Sequence, residues 1–330
     1  MHLIIDIGNT LTKVATFAGD QLQGLWTGPF EAAPGAIRER MQEQEIQAAI
    51  VSTVRHKQGE VPETLRFLQD AGVRVIVARH DLPLPISIHY ITRETLGTDR
   101  IAAAVAGQAF SPGEAALIIN AGTCLTTDLV TANGEYLGGT IAPGLQMRLQ
   151  AMHHFTGNLP LIDHQTSTKN PDTPQSQIHN TNLYQYTTAK KPGTNQHTHD
   201  QPTPQTDPNI SHSPSTPIPP QTSNLKPQTS NLKPQTSNLK LQTPNPKPQT
   251  PNPFPLPGRT THESMLLGVK AGMVAEIDGL IEQYRNEAGF FNVILSGGDI
   301  KIFDKKLKNR IFAVDNIVLH GLNQMLIHNA

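Results

Sequence analysis

The first segment able to do chemistry is a short polar turn that follows an apolar run near the start of the chain. It reads Asp6-Ile7-Gly8-Asn9-Thr10-Leu11-Thr12-Lys13. Gly8 can adopt a positive φ and lets a phosphate approach the backbone, while Asn9 and Thr10 offer hydrogen-bond donors. Lys13 adds a point charge for phosphate, and a carboxylate at a strand end, as at Asp6, can hold a hydrated Mg²⁺. A plain β-hairpin explains the turn equally well when it is taken alone.

A second turn of the same kind lies in the middle of the chain, in the segment Asn120-Ala121-Gly122-Thr123-Cys124-Leu125-Thr126-Thr127-Asp128. Gly122 and Thr123 again pair a flexible backbone with a hydroxyl donor. A hairpin is again the alternative. Two such turns, one in each half of the chain, favour a nucleotide site in a cleft between two similar halves.

A third candidate is Gly97-Thr98-Asp99-Arg100, which opens an alanine-rich helix. Thr98 or Asp99 could simply cap this helix, since an acid is favoured at the positive helix end. In the functional interpretation, Asp99 is a general base for a substrate hydroxyl and Arg100 binds an anionic substrate group. The segment taken alone favours capping.

The elements that must position these residues alternate between strands and helices, which predicts an α/β protein. The predicted strands are Leu3–Ile7, Lys13–Phe17, Leu22–Thr27, Ala48–Val54, Val73–Ala78, Ala115–Asn120, Cys124–Val130, Tyr136–Ile141 and Asn292–Leu295. The predicted helices are Ala33–Gln44, Glu63–Ala71, Asp99–Phe110, Gly144–Met152 and Ser264–Tyr284, with a last short helix after Asn316–Gly321. We expect an N-terminal domain over 1–112 and a C-terminal domain over 113–330.

Residues 165–256 interrupt the second domain with a segment rich in Pro, Thr, Gln and Asn. A seven-residue unit that begins at Gln221 recurs at Gln228 and Gln235. One Leu and usually one Pro in each unit exclude a coiled coil. So little apolar area predicts a long disordered insertion in a surface loop.

The composition excludes several classes of protein. The net charge of −1 argues against nucleic acid or an anionic membrane as the main partner. Cys124 is the single cysteine, so no intramolecular disulfide or thiolate metal cluster is expected. The single cysteine fits a reducing compartment, and the sequence shows no signal-peptide pattern, so we expect a cytoplasmic protein. The chain lacks both the P-loop motif and the Rossmann glycine fingerprint.

Together these turns resemble the type III pantothenate kinases of bacterial coenzyme A biosynthesis, which belong to the actin-like ATPase superfamily. The resemblance covers nearly the whole chain outside the insertion. Besides the turns above, it rests on Gly138-Gly139-Thr140-Ile141-Ala142-Pro143-Gly144-Leu145, Leu159-Pro160 and Ser296-Gly297-Gly298-Asp299.

The resemblance implies two RNase H-like halves with a central cleft, a homodimer, and transfer of the ATP γ-phosphate to pantothenate. It implies Asp99 as the catalytic base. It implies ATP contacts at Asp6, Ile7, Gly8, Asn9, Thr10, Leu11, Thr12, Lys13 and Thr123, with Mg²⁺ held through water at Asp6. It implies pantothenate contacts at Tyr90, Gly97, Thr98, Asp99, Arg100 and Thr261, the last in a segment placed before the long C-terminal helix.

One departure from the family pattern concerns the monovalent cation, K⁺ or NH₄⁺, that the family requires. The family usually has Asp where this chain has Asn120. Asn keeps a carbonyl oxygen but loses the charge, so we expect weaker cation binding. Asn120 and the insertion leave a second hypothesis open, a catalytically impaired nucleotide-binding or regulatory relative of the same family.

Overall fold

The computed structural model describes residues 1–53, 61–164, 254 and 256–330. Its strands are β1 (His2–Ile7), β2 (Thr12–Ala18), β3 (Gln21–Gly28), β4 (Ala48–Thr53), β5 (Arg74–Val77), β6 (Ser87–Ile88), β7 (Ala116–Ala121), β8 (Cys124–Val130), β9 (Glu135–Pro143), β10 (Asn292–Ser296) and β11 (Phe312–Ala313). Its α-helices are α1 (Ala33–Glu43), α2 (Phe67–Asp70), α3 (Thr98–Phe110), α4 (Leu145–Phe155), α5 (Thr261–Ala288), α6 (Ile300–Phe303) and α7 (Ile317–His328).

The strands form two sheets with the same internal order, which makes this a mixed α/β fold as predicted. The first sheet has the order β3-β2-β1-β4-β5, and the second has β6-β9-β8-β7-β10-β11. In each, the central strand pairs antiparallel with the strand that follows it and parallel with a later strand. The first five strands thus have one counterpart each in the second sheet, and β6 is an extra edge strand.

The central strands are apolar because both faces of each sheet are covered. Leu3, Ile4 and Ile5 of β1 are fully buried, as are Leu117 and Ile118 of β7. Strands with near-continuous apolar runs are those buried on both faces. The central strands therefore hold their terminal turns in fixed positions.

Helices α3 and α7 pack closely against each other between the sheets. A side chain at Gly321 of α7 would meet the backbone oxygen of Ala102 in α3 at 1.7 Å, so only glycine permits this crossing. The residues of α3 that make the contact surface are mostly alanines with almost no exposed area. Alanine and glycine let two helix backbones approach more closely than larger side chains would. This packing fixes the start of α3, where Asp99 lies.

The structure corrects several predicted boundaries. The long helix α5 begins at Thr261, three residues before the predicted Ser264, because Thr260 accepts a hydrogen bond from the Glu263 amide at 3.1 Å and Glu263 accepts one from the Arg259 amide at 2.8 Å. This pair is a variant of the capping box, in which the acid accepts from the residue before the N-cap instead of from the N-cap itself. The predicted helix at 63–71 is a 3-10 turn, Glu63–Leu65, followed by the short α2.

The predicted insertion at 165–256 lies almost entirely outside the described residues. Phe254 falls within the predicted segment, yet it is 4% exposed and packs in the core of the second sheet, with the Lys306 ammonium 3.6 Å from its ring centre. Placing Phe254 in the insertion was therefore wrong, since an aromatic side chain gains free energy from burial. Within the described part of the chain, no helix is long and apolar enough to cross a membrane.

Candidate active site

Three polar side chains form a row across the end of the first sheet. Asp6 at the end of β1 pairs in register with Lys13 on β2 and with Ser52 on β4. The hydroxyl of Ser52 lies 3.0 Å from that of Thr98, the first residue of α3. The row therefore connects the predicted phosphate-binding turn directly to the predicted catalytic helix.

Asp6 and Asp99 lie close enough for their charges to interact. Burial and, after it, the nearby Asp99 carboxylate raise the pKa of Asp6 to about 6, against the opposing effects of Lys13 and Ser52. Two carboxylates that repel each other favour a cation between or beside them. Asp6 and Asp99 thus form the acidic part of the site.

The Asp99 side chain is held beside Gly97. A side chain at Gly97 would meet Asp99 Oδ1 at 2.4 Å, so glycine makes room for the carboxylate. Gly97 is also the residue before the helix, and its carbonyl accepts hydrogen bonds from the Arg100 and Ile101 amides. Gly97 is the N-cap of α3, so neither Thr98 nor Asp99 caps the helix, although Asp99 lies in its first turn, where an acid is favoured.

The first turn is closed by its backbone. The Gly8 amide donates to the Leu11 carbonyl at 3.1 Å, and a side chain at Gly8 would lie 3.0 Å from that oxygen. Gly8 is absent from the described residues with positive φ, so the expectation that it uses that conformation was wrong. The turn needs glycine for close approach, and it leaves Asn9 and Thr10 exposed.

The second sheet carries a matching row at the end of β7. Asn120 pairs in register with Thr126 on β8 and with Ser296 on β10. These three side chains all offer neutral oxygen atoms. Asn120 therefore occupies in the second sheet the place that Asp6 occupies in the first.

The glycine motifs of the second half pack around the second predicted turn, at Ala121 to Thr123. A side chain at Gly144 would meet the Gly122 carbonyl oxygen at 2.1 Å, and one at Gly297 would meet the Ala121 oxygen at 2.0 Å. Gly297 also has a φ of +108°, which disfavours any other residue. The Gly144 amide donates to the Thr123 carbonyl at 3.1 Å. Two of the segments that sequence analysis grouped by resemblance, those at Gly144 and Gly297, therefore meet at the second turn.

Two hydrogen bonds link the first predicted turn to the end of β10 through Asn316 and Ile317, which sequence analysis did not identify as site residues. The ammonium of Lys13 donates to Asn316 Oδ1 at 2.9 Å. Asn316 precedes α7 in the left-handed conformation, with φ of 55°. The next amide, that of Ile317, donates to the Ser296 hydroxyl at 3.3 Å. Asn316 therefore ties Lys13 of the first sheet to β10 of the second.

Arg100 points away from Asp99 into a buried polar cluster on the second sheet. Its Nε donates to Asp128 Oδ1 at 2.8 Å, and its Nη2 donates to the Thr127 carbonyl at 3.2 Å. The Tyr136 hydroxyl donates to the same Asp128 oxygen at 2.8 Å. The Tyr90 ring centre lies 6.0 Å from the guanidinium carbon. The predicted substrate residues Tyr90 and Arg100 are therefore neighbours.

A second buried pair, formed by His164 and Asp299, lies at the turn Ser296-Gly297-Gly298-Asp299. His164 Nε2 is 3.0 Å from Asp299 Oδ1, and His164 Nδ1 is 2.9 Å from Gln146 Oε1. The two ring nitrogens of His164 thus join Gln146 of α4 to Asp299. Burial raises the pKa of Asp299, while His164 and Lys270 lower it. The pair holds the Asp299 turn against α4.

The predicted ATP contact Thr123 and the predicted pantothenate contact Thr261 are both exposed. Thr261 is the first residue of α5 rather than a residue before it. Within the described residues, no hydrogen bond or ion pair joins Thr261 to Tyr90, Asp99 or Arg100. The role of Thr261 stays a prediction.

Sequence analysis missed Ser52, Asp128, Tyr136 and Asn316 as parts of this cluster. A signal existed for Asp128, because a carboxylate inside a strand of otherwise apolar and threonine residues is rarely buried without a charged partner. Ser52 interrupts an apolar strand in the same way. Nothing in the local sequence marks Asn316, whose partner Lys13 lies 303 positions earlier.

Comparison with known proteins identifies the family. The model of the type III pantothenate kinase family matches residues 2–189. The type III pantothenate kinase of Bacteroides fragilis is 30% identical over 329 residues, which cover 100% of this chain and 98% of that protein. The enzyme of the same name from Cytophaga hutchinsonii is 28% identical over 100% of both chains. This chain belongs to the type III pantothenate kinase family.

Proposed function

We propose that this protein transfers the γ-phosphate of ATP to the primary hydroxyl of pantothenate, the first step of coenzyme A biosynthesis. The observation that carries the proposal is the approach of Asp6 and Asp99, from two distant motifs, in a chain that belongs to this family. Asp6 opens a phosphate-binding type of turn, and Asp99 lies in the first turn of a helix beside it. An acidic pair next to such a turn suits phosphoryl transfer to an alcohol.

In the proposed reaction, the pantothenate hydroxyl oxygen forms a bond to the γ-phosphorus as the bond from that phosphorus to the bridging oxygen of ADP breaks. Asp99 accepts the hydroxyl proton, so the products are ADP and phosphopantothenate. A general base of this kind needs to be ionised and within reach of the hydroxyl. The turn over residues 8–12 and the Lys13 ammonium would bind the negatively charged phosphates, with Thr123 contacting ATP from the second half.

The acidic pair also fits a divalent cation. Asp6 has a raised pKa because its carboxylate is buried beside Asp99, and a cation would relieve both effects. We propose that Asp6 holds Mg²⁺ through water, and bound Mg²⁺ would neutralise charge on the ATP phosphates. Tyr90, Gly97, Thr98, Arg100 and Thr261 would contact pantothenate.

The repeated sheet order supports a finer assignment of the fold. Each sheet has a central strand with an antiparallel and a parallel neighbour, as two RNase H-like halves of an actin-like ATPase would have. We propose that the halves correspond to 1–112 and 113–330, that ATP binds in the cleft between them, and that the protein is a cytoplasmic homodimer.

The monovalent cation site is proposed at the row of Asn120, Thr126 and Ser296, whose oxygen atoms are neutral. We expect Asn120→Asp to restore a charged ligand and to lower the K⁺ concentration that gives half-maximal activity, by about tenfold if the charge adds about 1.4 kcal/mol to binding. Titrating KCl in the activity assay and in thermal unfolding would measure this. If neither midpoint moves, K⁺ does not bind at Asn120.

The proposed function is tested by measuring ADP release with purified protein, ATP, Mg²⁺ and pantothenate across K⁺ and NH₄⁺ concentrations, with the phosphorylated product identified by mass spectrometry. A reaction without pantothenate serves as the control for ATP hydrolysis. We expect ADP and phosphopantothenate in equal amounts. ATP binding without any phosphopantothenate under these conditions would contradict the proposal and favour a nucleotide-binding regulatory protein.

A further inference from the structure

The guanidinium of Arg100 is held by the second sheet on one side only. Nε donates to Asp128 Oδ1 at 2.8 Å, Nη2 lies 2.8 Å from the same oxygen, and Nη2 also donates to the Thr127 carbonyl. Within the described residues, Nη1 makes no hydrogen bond. Nη1 is therefore the donor group that remains for an anion.

Stability does not explain why Asp128 is present. Its carboxylate is fully buried, and Oδ2 has no hydrogen-bond partner among the described residues. Both Arg100 and Tyr136 donate to the other oxygen, Oδ1. Buried ion pairs often contribute no net stability, because desolvation offsets their attraction, and an unsatisfied buried oxygen adds a further penalty. A residue retained at such a cost is better explained by what it positions.

The alternative partner for Arg100 is its neighbour Asp99. Asp99 directly precedes Arg100 in α3 and is only partly buried. The structure pairs Arg100 with Asp128, and the described residues include no ion pair between Arg100 and Asp99.

We propose that Asp128 is a positioning residue, which holds Arg100 towards the anionic group of the substrate. This inference rests on the proposed function, in which the carboxylate of pantothenate is that anionic group. Arg100 acts on the substrate, and Asp128 acts only through Arg100. Tyr136 assists by donating to the oxygen that binds Arg100.

The test is the steady-state kinetics of Asp128→Asn. Asn keeps the size and one acceptor oxygen but loses the charge that holds the guanidinium. We expect the KM for pantothenate to rise by about 10- to 100-fold, the range for loss of one hydrogen bond to a charged group. The KM for ATP should change little. Equal increases in both KM values, or an unchanged KM for pantothenate, would overturn the proposal.

A double-mutant cycle with Arg100→Gln separates positioning from a general structural effect. If Asp128 acts through Arg100, Asp128→Asn should raise the pantothenate KM no further once Arg100 is already Gln. Independent effects that multiply in the double variant would overturn the proposal. The matched control is Asp278→Asn, which alters another buried carboxylate. Asp278 lies outside this site and accepts hydrogen bonds from the Lys308 backbone amide and the Asn309 side-chain amide. It should leave the pantothenate KM unchanged even if it lowers the unfolding temperature.

A milder variant keeps the test valid if Asp128→Asn fails to fold. Tyr136→Phe removes only the second hydrogen bond to Asp128 Oδ1. It should give a smaller rise in the pantothenate KM at constant ATP KM, and no rise would count against the proposal.

The wild-type protein separates failure of the proposed function from failure of this inference. Absence of phosphopantothenate with wild type refutes the proposed function and this inference together, whereas wild-type turnover with an unchanged KM in both variants refutes this inference alone.

Discussion

Asp99→Asn is expected to reduce the turnover of pantothenate by about 10²- to 10⁴-fold, the range for loss of a general base. The amide has nearly the size and shape of the carboxylate, so it fits the space beside Gly97. It cannot accept the hydroxyl proton at neutral pH. ATP binding should persist, because the phosphate-binding turn at 6–13 is unaltered. Single-turnover phosphate transfer and ATP titration calorimetry would measure the two effects separately.

The matched control for Asp99→Asn is Asp81→Asn, the same change at an exposed carboxylate that pairs with Arg79. Exposed ion pairs contribute little to stability, so this variant should keep wild-type activity. Asp99 is refuted as the base if Asp99→Asn retains turnover within about tenfold of wild type, a difference that corresponds to only 1.4 kcal/mol in activation free energy. Loss of ATP binding in the same variant would instead indicate a role in nucleotide binding.

Asp6→Asn should lose activity and gain stability at the same time. The pKa of Asp6 is about 6 in the folded protein, against about 3.9 for an unperturbed aspartate, so the folded state binds the proton more tightly. Below about pH 4 the group is protonated in both states and has no effect. As the pH rises from about 4 to 6, its ionisation in the unfolded state destabilises the folded protein, and above pH 6 the full penalty is present. Asn removes this penalty.

At pH 7.5 we therefore expect Asp6→Asn to raise the free energy of unfolding by about 2 kcal/mol, or the unfolding temperature by about 4–8 °C. Denaturant unfolding between pH 4 and 8, without nucleotide, would measure this, and the variant should show a weaker decline in stability from pH 4 to 6. Turnover should fall because the proposed Mg²⁺ ligand is lost. A variant that is both inactive and less stable at pH 7.5 would contradict this account, since it would mean that the ionised carboxylate stabilises the fold.

Local patterns in the sequence were sufficient to predict most of the central strands and both polar turns. The fully buried Leu3, Ile4 and Ile5 show why, since a short apolar run that ends in Gly and Asn has few alternatives to a strand and a turn. The same reasoning missed β6 and β11, each of two residues, because so short a strand has no periodicity of its own. It also gave α5 a start three residues late, although its capping box can be recognised in Thr260 and Glu263.

The sequence by itself determined which residue types lie at each turn, and the resemblance of those turns assigned the chain to a family that the comparisons confirm. Only the tertiary structure decided how those residues meet. Arg100 of α3 binds Asp128 of β8, and Lys13 of β2 binds Asn316 near the other end of the chain. Such pairs depend on how the two sheets and α7 pack, and no local pattern encodes a partner some 300 residues away. The first turn can thus be predicted from its residues, whereas the contacts of Lys13 and Asp6 depend on long-range packing.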